Sequence, residues 1–120
     1  MHLNEIDFGA AQPIEGYGPD FYRIGGAAHP APLVIVPGQV VAWAGLDDTA
    51  TLLPLAGQVD VLFVGTGAEI AHLPAGFRKT LEDAGLGVEA MSSPAACRTY
   101  NVLLSEGRRV GVALLPVGTA

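Results

Sequence analysis

The turn Gly65-Thr66-Gly67 follows the apolar run Val59 to Val64. A glycine turn after a buried strand can bring backbone N–H groups close to a phosphate, and two of its glycines match the spacing of the dinucleotide fingerprint. The third glycine of that fingerprint would fall at position 70, which is Ile70, and the next helix signal waits until Pro74. No helix dipole therefore points at an anion held by this turn. A plain tight turn is the simpler reading.

The second candidate is the run Ser92-Ser93-Pro94. Here Ser93 caps a helix that has proline at its first position. The free N–H groups of such a helix start favour an anion, and Arg98 lies one turn further in. Both features sit at the carboxyl ends of predicted parallel strands, where open α/β sheets place their crevice. The ligand- or partner-binding set is therefore Gly65, Thr66, Gly67, Ser93, Arg98, Thr99, Tyr100 and Asn101. In the simpler reading, Ser93 only ends the helix and Arg98 is solvated or ion-paired.

Other chemistry has little support. Cys97 precedes Arg98, which would lower a thiol pKa, but no histidine lies near it in sequence and a small buried apolar role is the plainer one. Glu69 and His72 are two potential ligands where a zinc site needs more. The pairs Asp47-Asp48 and Glu82-Asp83 suit a loop and a helix end. No nucleophile elbow or serine-histidine-aspartate pattern occurs. No catalytic residue, metal ligand or cofactor is assigned.

The elements that must position these residues follow from patterning. Residues 1–20, rich in glycine and proline, read as an irregular lead-in to a strand over Phe21 to Ile24, which Gly25-Gly26 ends. Leu33 to Val36 and Val40 to Trp43 flank Pro37-Gly38-Gln39 and form an antiparallel hairpin. Asp47 to Gln58 is a loop with one helical turn. Val59 to Val64 is apolar enough for a strand buried on both faces, the mark of a parallel sheet. A helix from Pro74 to about Ala84 stops at Gly85, and Val88 to Met91 is a strand. The helix from Pro94 to Ser105 puts Ala96, Tyr100 and Leu103 on one face and ends before Gly107; Val110 to Leu115 is the last strand. The fold class is α/β: a mixed sheet with an N-terminal antiparallel hairpin portion and a C-terminal β-α-β-α-β parallel portion.

Composition sets the remaining bounds. A chain of 120 residues that is 50% hydrophobic buries roughly two-thirds of its unfolded surface as one domain. Twelve acidic residues against six scattered basic ones give a net charge of -6 and argue against nucleic acid. One cysteine cannot form an internal disulfide, which suits a reducing compartment. No signal peptide is visible at the start of the sequence. Ile24 to Leu46 lacks Asp, Glu, Lys and Arg, but its prolines and short β-branched runs exclude a transmembrane helix. These features point to a cytoplasmic protein.

The segment from Val59 to Val117 resembles the mitochondrial complex I assembly factor 3 family and its bacterial relatives, the Mth-type adipogenesis-associated domain proteins. The residues that carry the resemblance are Val64-Gly65-Thr66-Gly67, Met91, Ala95 to Leu103, Glu106 to Val110 and Ala113-Leu114-Leu115-Pro116. Ile6-Asp7-Phe8, Tyr22 to Gly26 and Trp43 match more loosely. The resemblance implies an α/β fold and a non-catalytic assembly role with a protein partner, and brings no enzyme activity. Arg98, Tyr100 and the segment Pro30 to Pro37 are expected at the partner surface. The alternative is a small-molecule or anion-binding protein using the Gly65 turn and the helix start at Ser93 and Pro94.

Overall fold

The computed structural model describes residues 12–36 and 38–118. Ile6-Asp7-Phe8 and Pro37 lie outside the described residues. Three strands, β1 (Ile14–Tyr17), β2 (Phe21–Ile24) and β3 (Ala27–Pro30), form one antiparallel sheet. A second sheet has five strands in the order β5-β4-β8-β6-β7, built from β4 (Leu33–Val36), β5 (Gln39–Ala42), β6 (Val61–Gly65), β7 (Gly87–Met91) and β8 (Val110–Leu114). Helices α1 (Ala75–Asp83) and α2 (Ser93–Ser105) connect β6 to β7 and β7 to β8.

The mixed sheet has the expected two-part character. β4 and β5 form an antiparallel hairpin, β4 also runs antiparallel to β8, and β6 pairs in parallel with both β7 and β8. β6 lies between β7 and β8, so the two crossovers travel in opposite directions. Right-handed crossovers then place α1 and α2 on opposite faces. The core divides accordingly. Phe77 and Leu81 of α1 pack with Leu62, Val64, Val88, Trp43 and Leu52 on one face. On the other, Ala96, Cys97, Tyr100 and Leu104 of α2 pack with Phe63, Val112 and Leu114, and the small sheet adds Ile14, Tyr22 and Ile24.

Both helix stops work as glycine C-caps. After α1, Gly85 (φ 91°) donates to Glu82 O at 2.9 Å and Leu86 to Leu81 O at 3.0 Å. After α2, Gly107 (φ 79°) donates to Leu104 O and Arg108 to Leu103 O, both at 3.0 Å. These are Schellman closures, which need a residue in the left-handed region.

Two strands depart from the expected layout. The supposed lead-in contains β1, whose register with β2 slips between Ile14 and Gly16. Gly25-Gly26 ends β2 as expected, but the sheet continues beyond it. The pair is the two-residue turn of a β2–β3 hairpin, with φ of 61° and 80° and Ile24 opposite Ala27. Pro74 precedes α1 as its N-cap residue, and the loop between β5 and β6 carries one 3-10 turn at Leu53–Leu55.

Candidate functional site

The Gly65 turn and the start of α2 are bonded to each other. Gly67 N–H donates to Ser93 Oγ at 2.9 Å, and Ser93 N–H donates to Gly67 O at 2.7 Å. The Ser93 hydroxyl in turn donates to Leu115 O at 3.2 Å, beyond the end of β8. Ser93 is wholly buried, and a Cβ on Gly65 would stand 2.8 Å from its Cα and Oγ. The glycine is there because β6 and α2 approach too closely for any side chain. Thr66 sits beside this clasp: its hydroxyl contacts Glu69 O at 2.9 Å and Met91 O at 3.2 Å and accepts from Ala71 N at 2.9 Å. It organises the loop that carries Glu69 and His72.

The cap itself is one residue earlier than expected. Ser92, not Ser93, is the N-cap of α2, accepting from Ala95 N at 3.3 Å. Ser93 is thereby released to hold the turn. Tyr22 joins the same locus, its hydroxyl donating to Leu115 O at 2.7 Å, and burial pushes that phenol up to about 12 while the Ser93 hydroxyl opposes the rise.

Along α2 the remaining candidates diverge, as successive helical positions must. Tyr100, expected at a partner surface, is wholly buried; it lies four residues after Ala96 on the inner face. Desolvation lifts its phenol to about 12, and its oxygen has no hydrogen-bond partner among the described residues. Cys97 is also buried, and its thiol is pushed up to about 12 by burial against a weaker opposing effect of Arg98. A thiol in that state is a poor nucleophile near neutral pH. The segment expected at the surface between Pro30 and Pro37 contains β4, whose four residues are all buried.

Asn101 faces β1. Its side-chain oxygen accepts from Ile14 N and its amide nitrogen donates to Ile14 O, both at 2.8 Å. The side chain completes the outer edge of β1 as a neighbouring strand would, and fastens the small sheet to α2.

Only Arg98 and Thr99 of the set lie toward the outside of α2; of their neighbours, sequence reasoning passed over Val102 and put Leu103 on the inner face, where it is only partly buried. With Val102 and Leu103 they line a shallow hollow of about 420 Å³, and Val102 is 55% exposed. Arg98 is the sole charged residue of α2. The signal for this patch was Arg98-x-x-x-Val102, two residues one turn apart on the face opposite Ala96 and Tyr100. A second feature missed was Asp48. Its carboxylate accepts from Ala44 N, Thr51 N and Thr51 Oγ1, bonds that hold it below its ordinary value and order the loop after β5.

The molecule is thus a two-sheet α/β domain whose strand-end turn is closed onto its own helix and whose outer helix face is apolar around one arginine. Residues 14–115 match the family described as "Protein of unknown function (DUF498/DUF598)", and the chain belongs to it. It is 56% identical over 117 residues to an uncharacterized protein of Rhodobacter capsulatus, spanning 98% of this chain and 94% of that one. It is 31% identical over 123 residues to NADH dehydrogenase [ubiquinone] 1 alpha subcomplex assembly factor 3 of Danio rerio, spanning 97% of this chain and 71% of that protein. That relation bears out the resemblance read from the sequence. Among solved structures, an outer membrane protein of Bartonella henselae superposes with a TM-score of 0.79 at 31% identity, covering 88% of this chain and 95% of that one.

Proposed function

We propose that this chain is a non-catalytic interaction module that helps assemble a respiratory NADH dehydrogenase, docking its partner on the outer face of α2. The observation that supports the reading is similarity, over 97% of this chain and 71% of that protein, to one named as an NADH dehydrogenase assembly factor. The patch of Arg98, Thr99, Val102 and Leu103 offers an apolar centre with one cation, the composition of an interface core. The partner is a protein subunit or a second assembly factor. The work is done in the cytoplasm, and no described helix is long and apolar enough to cross a membrane. The anion-binding alternative draws less support, because Ser93 is buried and its hydroxyl is already committed to Gly67 and Leu115.

The test is affinity capture of the tagged chain from its host, with mass spectrometry of what accompanies it. Wild type should enrich NADH dehydrogenase subunits or their assembly factors. Val102→Glu and Arg98→Glu, both at exposed positions, should keep the fold and weaken capture tenfold or more, about 1.4 kcal/mol. Equal capture by folded variants, or no enrichment by wild type, would refute the proposal. Fractionation that recovered the chain in the outer membrane, where the Bartonella relative's name puts that protein, would overturn the location.

A further inference from the structure

The loop that Thr66 organises stands over a second hollow. Ile70, Ala71, His72 and Leu73 of the loop, Arg78 of α1 and Ala90 of β7 enclose about 280 Å³, just under the usual range of small-ligand pockets. Its place follows from the topology. β6 and β7 are parallel neighbours, yet the chain leaves β6 for α1 on one face of the sheet and β7 for α2 on the other. Open α/β sheets bind ligands outside the carboxyl ends of their strands where the connections diverge in this way. The hollow lies at that point, between the loop after β6 and Ala90, the penultimate residue of β7.

The lining reverses the charge of the molecule. The chain has twelve acidic residues against six basic ones, but the hollow is lined by an arginine and a histidine and by no carboxylate. Arg78 is anchored through one nitrogen, Nη1, which donates to Val88 O at 2.9 Å and to Glu82 Oε2 at 3.1 Å. Its Nε and Nη2, which form the other edge of the guanidinium, make no hydrogen bond among the described residues. That edge is a two-donor fork of the kind that fits a carboxylate. Strand alternation adds a main-chain donor. Met91 O accepts from Thr66 N–H, so Met91 faces β6, whereas Ala90, like Val88, turns its N–H and C=O to the outer side of β7. Ile70 and Leu73 supply an aliphatic wall, and Ile70 is 66% exposed.

We propose that this hollow binds a small aliphatic carboxylate. The Arg78 fork and Ala90 N–H hold the carboxylate, the His72 imidazole donates a further hydrogen bond, and the alkyl chain covers Ile70 and Leu73. Glu82 shares the charge of Arg78, so the affinity is modest. The site goes beyond the docking role: it lies across the sheet from the patch on α2, and neither depends on the other.

Titration of the isotope-labelled full-length chain with sodium hexanoate, against sodium chloride at matched ionic strength, tests this by amide and arginine Nε–H chemical shifts. Hexanoate should bind with a dissociation constant of about 1 mM, and the largest shifts should fall on Ala71, His72, Arg78 and Ala90. Hexanol, with the same chain and no charge, should bind at least tenfold more weakly, and hexylamine should not bind. Ile70→Glu sets a carboxylate on the rim at an exposed position and should abolish binding with the spectrum of the fold intact. Arg78→Gln should weaken binding tenfold or more; should that variant misfold, Ile70→Glu and the comparison with hexanol still decide. No shifts by about 20 mM hexanoate, shifts confined to residues outside the lining, or equal binding of hexanol overturns the proposal.

Discussion

Gly65→Ala probes the close approach between β6 and α2. The added Cβ would stand 2.8 Å from Ser93 Cα and Oγ and 2.7 Å from Leu114 Cδ2. Carbon atoms prefer about 3.5–4.0 Å, so each contact is roughly 1 Å too short. Leu114 is wholly buried, and Ser93 Cα is backbone in the first turn of α2, so strand and helix must part. Overpacking of this kind costs about 1–3 kcal/mol. Displacing Ser93 Oγ from Gly67 N–H strands a buried donor for about 1–3 kcal/mol more. At roughly 4 °C per kcal/mol for a chain of this size, a loss of about 2–6 kcal/mol lowers the melting temperature by about 8–24 °C. Gly76→Ala is the control. A Cβ there has nothing within 4 Å, and alanine within α1 should add about 0.5–1 kcal/mol. Calorimetry of both variants, with hydrogen exchange at the Gly67 amide, gives the answer. A Gly65→Ala melt within about 2 °C of wild type would refute the close-approach argument.

Two further outcomes follow from burial. Tyr100→Phe deletes a buried hydroxyl with no partner among the described residues, so the variant should melt at or up to a few degrees above wild type; a loss of more than about 1 kcal/mol would show the hydroxyl is bonded. The raised pKa values of Cys97, Tyr22 and Tyr100 mean that the folded chain holds these protons more tightly than the unfolded one. Their stabilisation is complete below the ordinary values of 9.0 for the thiol and 10.0 for the phenols, and is lost as pH climbs toward about 12. Thermal melts should therefore decline above about pH 9, by up to about 1.4 kcal/mol per pH unit for each proton. Native Cys97 should resist a thiol reagent at about pH 8 and react on unfolding. A flat alkaline profile or rapid native labelling would contradict the packing of α2.

The second half of the fold was legible because its signals are local. Nearly continuous apolar runs marked β6 and β8, and Gly85 and Gly107 closed the helices where their spacing said they would. β3 was hidden because Ala27-Ala28-His29-Pro30 has no β-branched or aromatic residue, and β1 because its slip at Gly16 breaks the alternation. Tyr100 illustrates a conflict between two cues. Its spacing from Ala96 pointed to the core, its residue type to an interface, and the spacing prevailed. Asn101 could not be read at all, since the strand end it holds is 87 positions away. The clasp at Ser93 was half legible: the turn and the helix start were both singled out, but which serine capped the helix was decided by the partner that β6 presents.

The position of β8 bears on how the chain comes together during synthesis. It follows the other described strands in sequence, yet it stands in the middle of the sheet, and the pairs β4–β5 and β6–β7 touch the same ladder only through it. Until Val110–Leu114 leaves the ribosome, β4 and β6 each face the solvent with an unpaired edge and buried-type side chains: Leu33, Val34, Ile35 and Val36 on one, Leu62, Phe63 and Val64 on the other. Such edges are what chaperones shield and what aggregates grow from. A chain translated only as far as α2 is thus a pair of sticky half-sheets, and Val110–Leu114 is the strand that joins them.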